Sequence, residues 1–112
     1  MDALTRALDD ARQRAVDLRA ARDELVAAAE GANADDEHDP EGATLAFERE
    51  QLSALLAQAE RSVAAAEHAL AAREAGTYGT CERCGVEIPP ERLDALVAAT
   101  RCRDCAAAAG TG

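Results

Sequence analysis

The sequence predicts an all-α fold: a long antiparallel coiled-coil hairpin followed by a small C-terminal module held by four cysteines. Two heptad stripes separated by an acidic, proline-containing stretch predict the hairpin. Two Cys-x-x-Cys pairs, seventeen residues apart, predict the module. Composition sets the scale of both. Of 112 residues, 30 are alanine, with one Phe, one Tyr and no Trp. Alanine forms helix at low entropic cost but buries little area per residue, so a large globular core is excluded. Long helices packed through small side chains, with a metal staple, suit this composition.

Residues 2–30 read as the first helix. Leu4, Leu8, Ala11, Ala15, Leu18, Leu25 and Ala29 recur at spacings of four and three, with Arg22 interrupting once. No Gly or Pro lies inside it, and its length would be about 40 Å at 1.5 Å per residue. Gly31 is the expected stop, and Asn33 adds turn character. The stretch 35–41 then carries five carboxylates in seven residues and no apolar period. Either Asp39 caps a new helix with Pro40 at its first position, or Thr44 caps it slightly later. Residues 44–75 form the second helix, striped by Leu45, Leu52, Leu56, Ala59, Val63, Ala66 and Leu70, with Gly76 as its stop.

Domain boundaries follow: a hairpin over residues 1–76 with an acidic tip at 33–43, a four-cysteine module with a short helix over 77–106, and a flexible tail over 107–112. In the module, Gly85 directly follows Cys84, where a metal knuckle needs a tight backbone. Val86-Glu-Ile88 suggests an extended piece ended by Pro89-Pro90, and residues 91–100 a short helix with Leu93, Leu96 and Val97 on one side.

Cys81, Cys84, Cys102 and Cys105 are all the cysteines of the chain. Two Cys-x-x-Cys pairs a short loop apart match a tetrahedral four-thiolate site, because each pair supplies two thiolates from one tight turn. Four protein ligands leave no open position, so the site is read as one structural Zn(2+), with iron as the other ion the cage would take. Disulfides or redox dithiols are the metal-free alternatives. Asp2, Arg6, Asp9 and Asp10 break any apolar leader, which points away from an oxidising compartment and towards the cytoplasm. No βαβ pattern surrounds either pair, as a thioredoxin-like site would require.

The net charge is −10, and every Lys-or-Arg position is arginine. Such a surface repels a phosphate backbone, so neither nonspecific nor direct sequence-specific DNA binding is expected, and basic protein surfaces are the better partners. No run of eighteen apolar residues exists to span a membrane. No nucleophile with a base, glycine-rich phosphate cradle or open-site metal motif is present, so no enzyme is predicted.

The run Gly76-Thr-Tyr-Gly-Thr-Cys81-Glu-Arg-Cys84-Gly-Val-Glu-Ile-Pro continues as Pro-Glu-Arg92-Leu93-Asp-Ala-Leu and ends Cys102-Arg-Asp-Cys105. It closely resembles the DksA/TraR family of bacterial RNA-polymerase-binding proteins, and the likeness covers roughly residues 33–106. The resemblance implies a zinc module set against the polymerase rim and a hairpin tip inserted through the secondary channel to modulate initiation. It also implies a guanosine tetraphosphate alarmone as a frequent companion at the complex, although no lysine is present here to hold one. Active family members carry Asp-x-x-Asp-x-Ala at the tip. Asp36 and Asp39 match the two acids, while Glu41 stands at the alanine position and Pro40 constrains the backbone. The other function class is a noncatalytic interaction or scaffold protein with the same fold. The regulator is expected to be a monomer, with a coiled-coil dimer as the alternative. Tyr78 is expected to pack where helix and module meet. His38 is read as solvent-facing at the tip and His68 as a surface residue. Arg83 and Arg92 either face acidic polymerase elements or stay solvated.

Overall fold

The computed structural model describes residues 2–32 and 40–110; for residues 29, 31, 32, 40–42, 109 and 110 it describes the backbone alone. Four helices follow in order: α1, Ala3–Ala32; α2, Pro40–Glu74; α3, Pro90–Ala95; and α4, Arg103–Gly110. Among the described residues there is no strand, and one isolated antiparallel bridge joins Thr80 to Glu87. The mostly helical fold with long N-terminal helices and a C-terminal four-cysteine region is the predicted class.

The helix ends follow local chemistry. Asp2 caps α1: its Oδ1 accepts the Thr5 amide at 2.9 Å and its Oδ2 accepts the Thr5 hydroxyl at 3.2 Å. Capping satisfies a first-turn N–H that has no partner within the helix. The helix runs through Gly31, the expected stop, to Ala32. A glycine that is not forced to positive φ can remain helical, at a cost below that of a proline. Of the two expected starts for α2, the one at Pro40 is realised. Proline is tolerated there because its missing N–H has no helical partner in any case.

At the other end of α2, Gly76 has φ +80°, its amide donates to the Arg73 carbonyl at 3.1 Å, and the Thr77 amide reaches back to Ala72 at 2.8 Å. These two bonds form a Schellman cap. The Thr77 hydroxyl adds a third contact to the Ala72 carbonyl at 3.1 Å.

The chain divides into two compact units, one of Met1–Asp10 with Ser62–Gly112, the other of Ala11–Arg61. In the second unit Ala15, Leu56 and Ala59 are buried together, with Leu18 packed on them. Arg19 and Glu60 add an ion pair at 3.1 Å with both side chains about half exposed. Exposed pairs of this kind contribute about 0–1 kcal/mol, so the apolar seam dominates. Phe47 is 63% exposed, Leu55 48% and Val16 55%, so much of the large apolar surface here lies off the seam.

In the first unit Leu4 and Leu8 pack on Ala66 and Ala69, with Val63, Leu70, Tyr78, Val97 and Ala98 around them. Arg73, near the end of α2, pairs with Asp2, before the start of α1, at 2.9 Å. The two helices therefore run antiparallel in this unit. Ala69, fully buried, was not on the expected stripe. It is recruited because the small face of α2 lies against the leucines of α1 and also meets Tyr78 from the module.

α3 is shorter than the expected 91–100 helix and stops before Leu96, whose backbone leaves helical space at φ −128° and ψ 82°. Leu93, Leu96 and Val97 consequently do not share one face: Val97 enters the core, while Leu96 is 53% exposed. Helix α4 continues through residues 107–110, the first part of the expected flexible tail. Four consecutive alanines favour helix, and the knuckle before them supplies its first turn.

Candidate metal centre

Two glycines and a short bridged loop shape the first knuckle. Gly79 at φ +92° turns the chain so that its carbonyl accepts the Ile88 amide at 2.7 Å. Opposite, the Cys81 amide donates to the Val86 carbonyl at 2.7 Å and the Gly85 amide to the Cys81 carbonyl at 3.0 Å. Gly85 holds φ +80°. A side chain there would meet open space, so backbone conformation, not crowding, selects glycine. The loop tucks Cys81 and Ile88 inside, at 2% and 1% exposure.

The second knuckle is built on a helix start. Cys102 immediately precedes α4, its carbonyl accepts the Ala106 amide at 2.9 Å, and Cys105 lies in the first turn.

All four Sγ atoms lie within 4.8 Å of one another. Cys84 and Cys102, from different knuckles, stand 3.7 Å apart Sγ to Sγ. A tetrahedral zinc with Zn–S of about 2.3 Å has an S–S edge of about 3.8 Å, so this pair already matches the metal's geometry. All four cysteines are free thiols rather than disulfides. The Cys102 and Cys84 amides, with that of Arg83, bring the Cys81 thiol down to about 5. The Cys84 amide lies 3.5 Å from that sulfur. Cys105 is pushed up to about 12 by its hydrogen bond with Cys102, by burial and by Cys84. Without metal, Cys81 thus ionises readily while Cys105 resists losing its proton. A divalent ion that displaces the remaining protons relieves this conflict. The donor set fits one structural Zn(2+), bound through Cys81, Cys84, Cys102 and Cys105, with no open position for catalysis.

The surroundings of the cluster were less legible. Glu82, inside the first Cys-x-x-Cys, accepts from Arg101 Nε at 2.8 Å and meets His68 Nε2 at 2.6 Å. His68, then Arg101, hold its carboxyl below the ordinary value. The sequence reading placed His68 on the surface; it is largely exposed, yet it has this defined partner. Tyr78 packs on the core as expected, and its hydroxyl donates to the Val97 carbonyl at 2.7 Å. Arg92 is neither simply solvated nor turned outwards, since its Nε donates to the Arg101 carbonyl at 3.1 Å. Arg83 is exposed. Asp36, Asp39 and His38 lie outside the described residues, and Glu41 lies in the first turn of α2, where the backbone alone is described.

Comparison with known proteins agrees with this geometry. Residues 76–109 match the family described as the prokaryotic dksA/traR C4-type zinc finger. A 65-residue stretch is 48% identical to the uncharacterised protein YteA of Bacillus subtilis, covering 58% of this chain and 27% of that one. A 40-residue stretch is 52% identical to an uncharacterised Aquifex aeolicus protein, covering 36% of this chain and 28% of the other. The matches thus span little more than a quarter of these relatives' lengths. The solved structure of transcription factor DksA2 from Pseudomonas aeruginosa has the same fold, with TM-score 0.56 and 18% identity over 96% of this chain and 83% of that one. The thiolate cage alone would also admit iron, and the zinc-finger match decides for zinc. Residues 76–109, with their four gathered cysteines, thus match a zinc finger of the prokaryotic dksA/traR C4 type, and the chain shares the fold of DksA2.

Proposed function

We propose that the chain is a noncatalytic transcription regulator that binds bacterial RNA polymerase and inserts its acidic tip into the secondary channel to modulate initiation. The match of residues 76–109 to the DksA/TraR zinc finger, with its cysteines gathered for metal, carries this proposal. The fold shared with the transcription factor DksA2 supports it. In functional terms residues 1–76 are the arm with its tip at 33–43, residues 77–106 the zinc module that seats it, and residues 107–112 a tail. Asp36, Asp39 and Glu41 are the modulating residues: carboxylates delivered near a magnesium-dependent centre perturb the ion or its basic surroundings. A net charge of −10 suits a basic protein partner and disfavours DNA. The site of action is the cytoplasm, where the polymerase works, with a guanosine tetraphosphate alarmone as a companion at the complex. Among the described residues no helix is long and apolar enough to cross a membrane.

Glu41 at the family's alanine position, beside Pro40, favours a second reading: a zinc-stabilised scaffold that docks without acting through the channel. Transcription from several promoters with purified cognate polymerase separates the two. Wild type should change initiation, and Asp36→Asn/Asp39→Asn should bind the polymerase equally while losing that effect. Binding with no tip-dependent change in initiation selects the scaffold, and no binding at all removes the polymerase regulator.

A further inference from the structure

Glu82 sits between the first two metal ligands, and its carboxylate is held from two directions. One oxygen accepts from Arg101 Nε at 2.8 Å, and Arg101 directly precedes the ligand Cys102. The other oxygen meets Nε2 of His68, on α2, at 2.6 Å. The main chain repeats the first link, with the Glu82 amide donating to the Thr100 carbonyl at 2.8 Å. Arg92, on α3, fixes the Arg101 peptide from the far side at 3.1 Å. One side chain therefore joins the flanks of both knuckles to the helix on which the module rests.

The two knuckles lie on separate chain segments, so parting them opens the four-sulfur cage. Parting them breaks the Glu82–Arg101 contact, and a Glu82 tethered to α2 resists that movement. We propose that Glu82 is a positioning residue that links zinc retention to the seating of the module on α2, and that His68 thereby helps to hold an ion it does not touch. By linkage the effect is reciprocal: the ion that fixes the knuckles also presents Glu82 to His68. The inference rests on the four-thiolate site and is independent of any action on polymerase.

The test is zinc release from the zinc-loaded full-length protein at 25 °C, followed with a chromogenic chelator in excess. His68→Ala should release zinc about 3–10-fold faster than wild type, the range expected for losing one charge-assisted hydrogen bond. Glu82→Gln should do at least as much, and the double variant should be no faster than Glu82→Gln, because both act through one carboxylate. His68→Gln, which keeps a donor, should recover part of the slow release. Arg19→Ala, which breaks an exposed ion pair in the other compact unit, should leave the rate unchanged. Should Glu82→Gln fail to load zinc, Arg101→Gln takes its place in the cycle. A His68→Ala protein that releases zinc at the wild-type rate overturns the proposal, and so do single effects that multiply in the double variant.

Discussion

The Asp2 carboxylate caps the first turn of α1 through Thr5 and pairs with Arg73 at the end of α2. The Thr5 amide, then Arg73, hold this carboxyl well below the usual range. Its contribution to stability is therefore present above the unfolded pKa, about 4, and fades as the pH falls below that value towards the depressed folded pKa. Asp2→Ala should lower the melting temperature at pH 7, and the gap to wild type should narrow as the pH is taken from 5 to 2. A gap independent of pH would assign the loss to something other than the carboxylate charge. At the same scale the cysteines were plain in the sequence, because ligand type and spacing carry the chemistry. The His68–Glu82–Arg101 contacts were not. An exposed histidine on an alanine-rich helix looks like any solvated residue until the chain brings Glu82 to it from fourteen positions away.

Among the elements, helix α2 depends on how it ends. Gly76 takes φ +80°, and a Cβ placed there would meet nothing within 4 Å. Gly76→Ala should therefore cost about 1–2 kcal/mol from the left-handed conformation alone, with no steric addition. Thermal or urea unfolding measures this directly, and a loss well above that range would mean that the module had shifted. The seam is a second feature of the helices. Leu56 is 3% exposed, and it is buried with Ala15 and Ala59, which have little freedom to fill a gap. Leu56→Ala should lose about 2–5 kcal/mol, a large fraction of what so thin a core can supply. Heptad spacing made Leu4, Leu8, Ala15, Leu56 and Ala59 readable in advance. Helix ends were less so: Gly31 reads as a stop but stays helical, and α3 ends before Leu96 because the chain must turn Val97 inwards.

For the whole molecule, metal and fold are coupled through protonation. The Cys81 thiol is down at about 5 and Cys105 up at about 12, so zinc binding at neutral pH must displace protons from the reluctant thiols. Apparent zinc affinity should fall steadily between pH 8 and pH 6. Calorimetry in buffers of different ionisation enthalpy should report net proton release, and a pH-independent affinity would contradict the four-thiolate assignment.

Sequence alone determined the all-α class, the two heptad helices, the four-thiolate centre and the resemblance to the DksA/TraR family. Each rests on residue type at fixed short spacing, which survives without coordinates. Tertiary structure decided what lies between those landmarks: Ala69 joining the leucines of α1, Tyr78 binding the Val97 carbonyl, Asp2 reaching Arg73, and Glu82 held between Arg101 and His68. These pairs are separated by 14 to 71 residues and carry no periodic signal. Only the return of α2 along α1, and the closure of two knuckles around shared sulfur, brings them within contact distance.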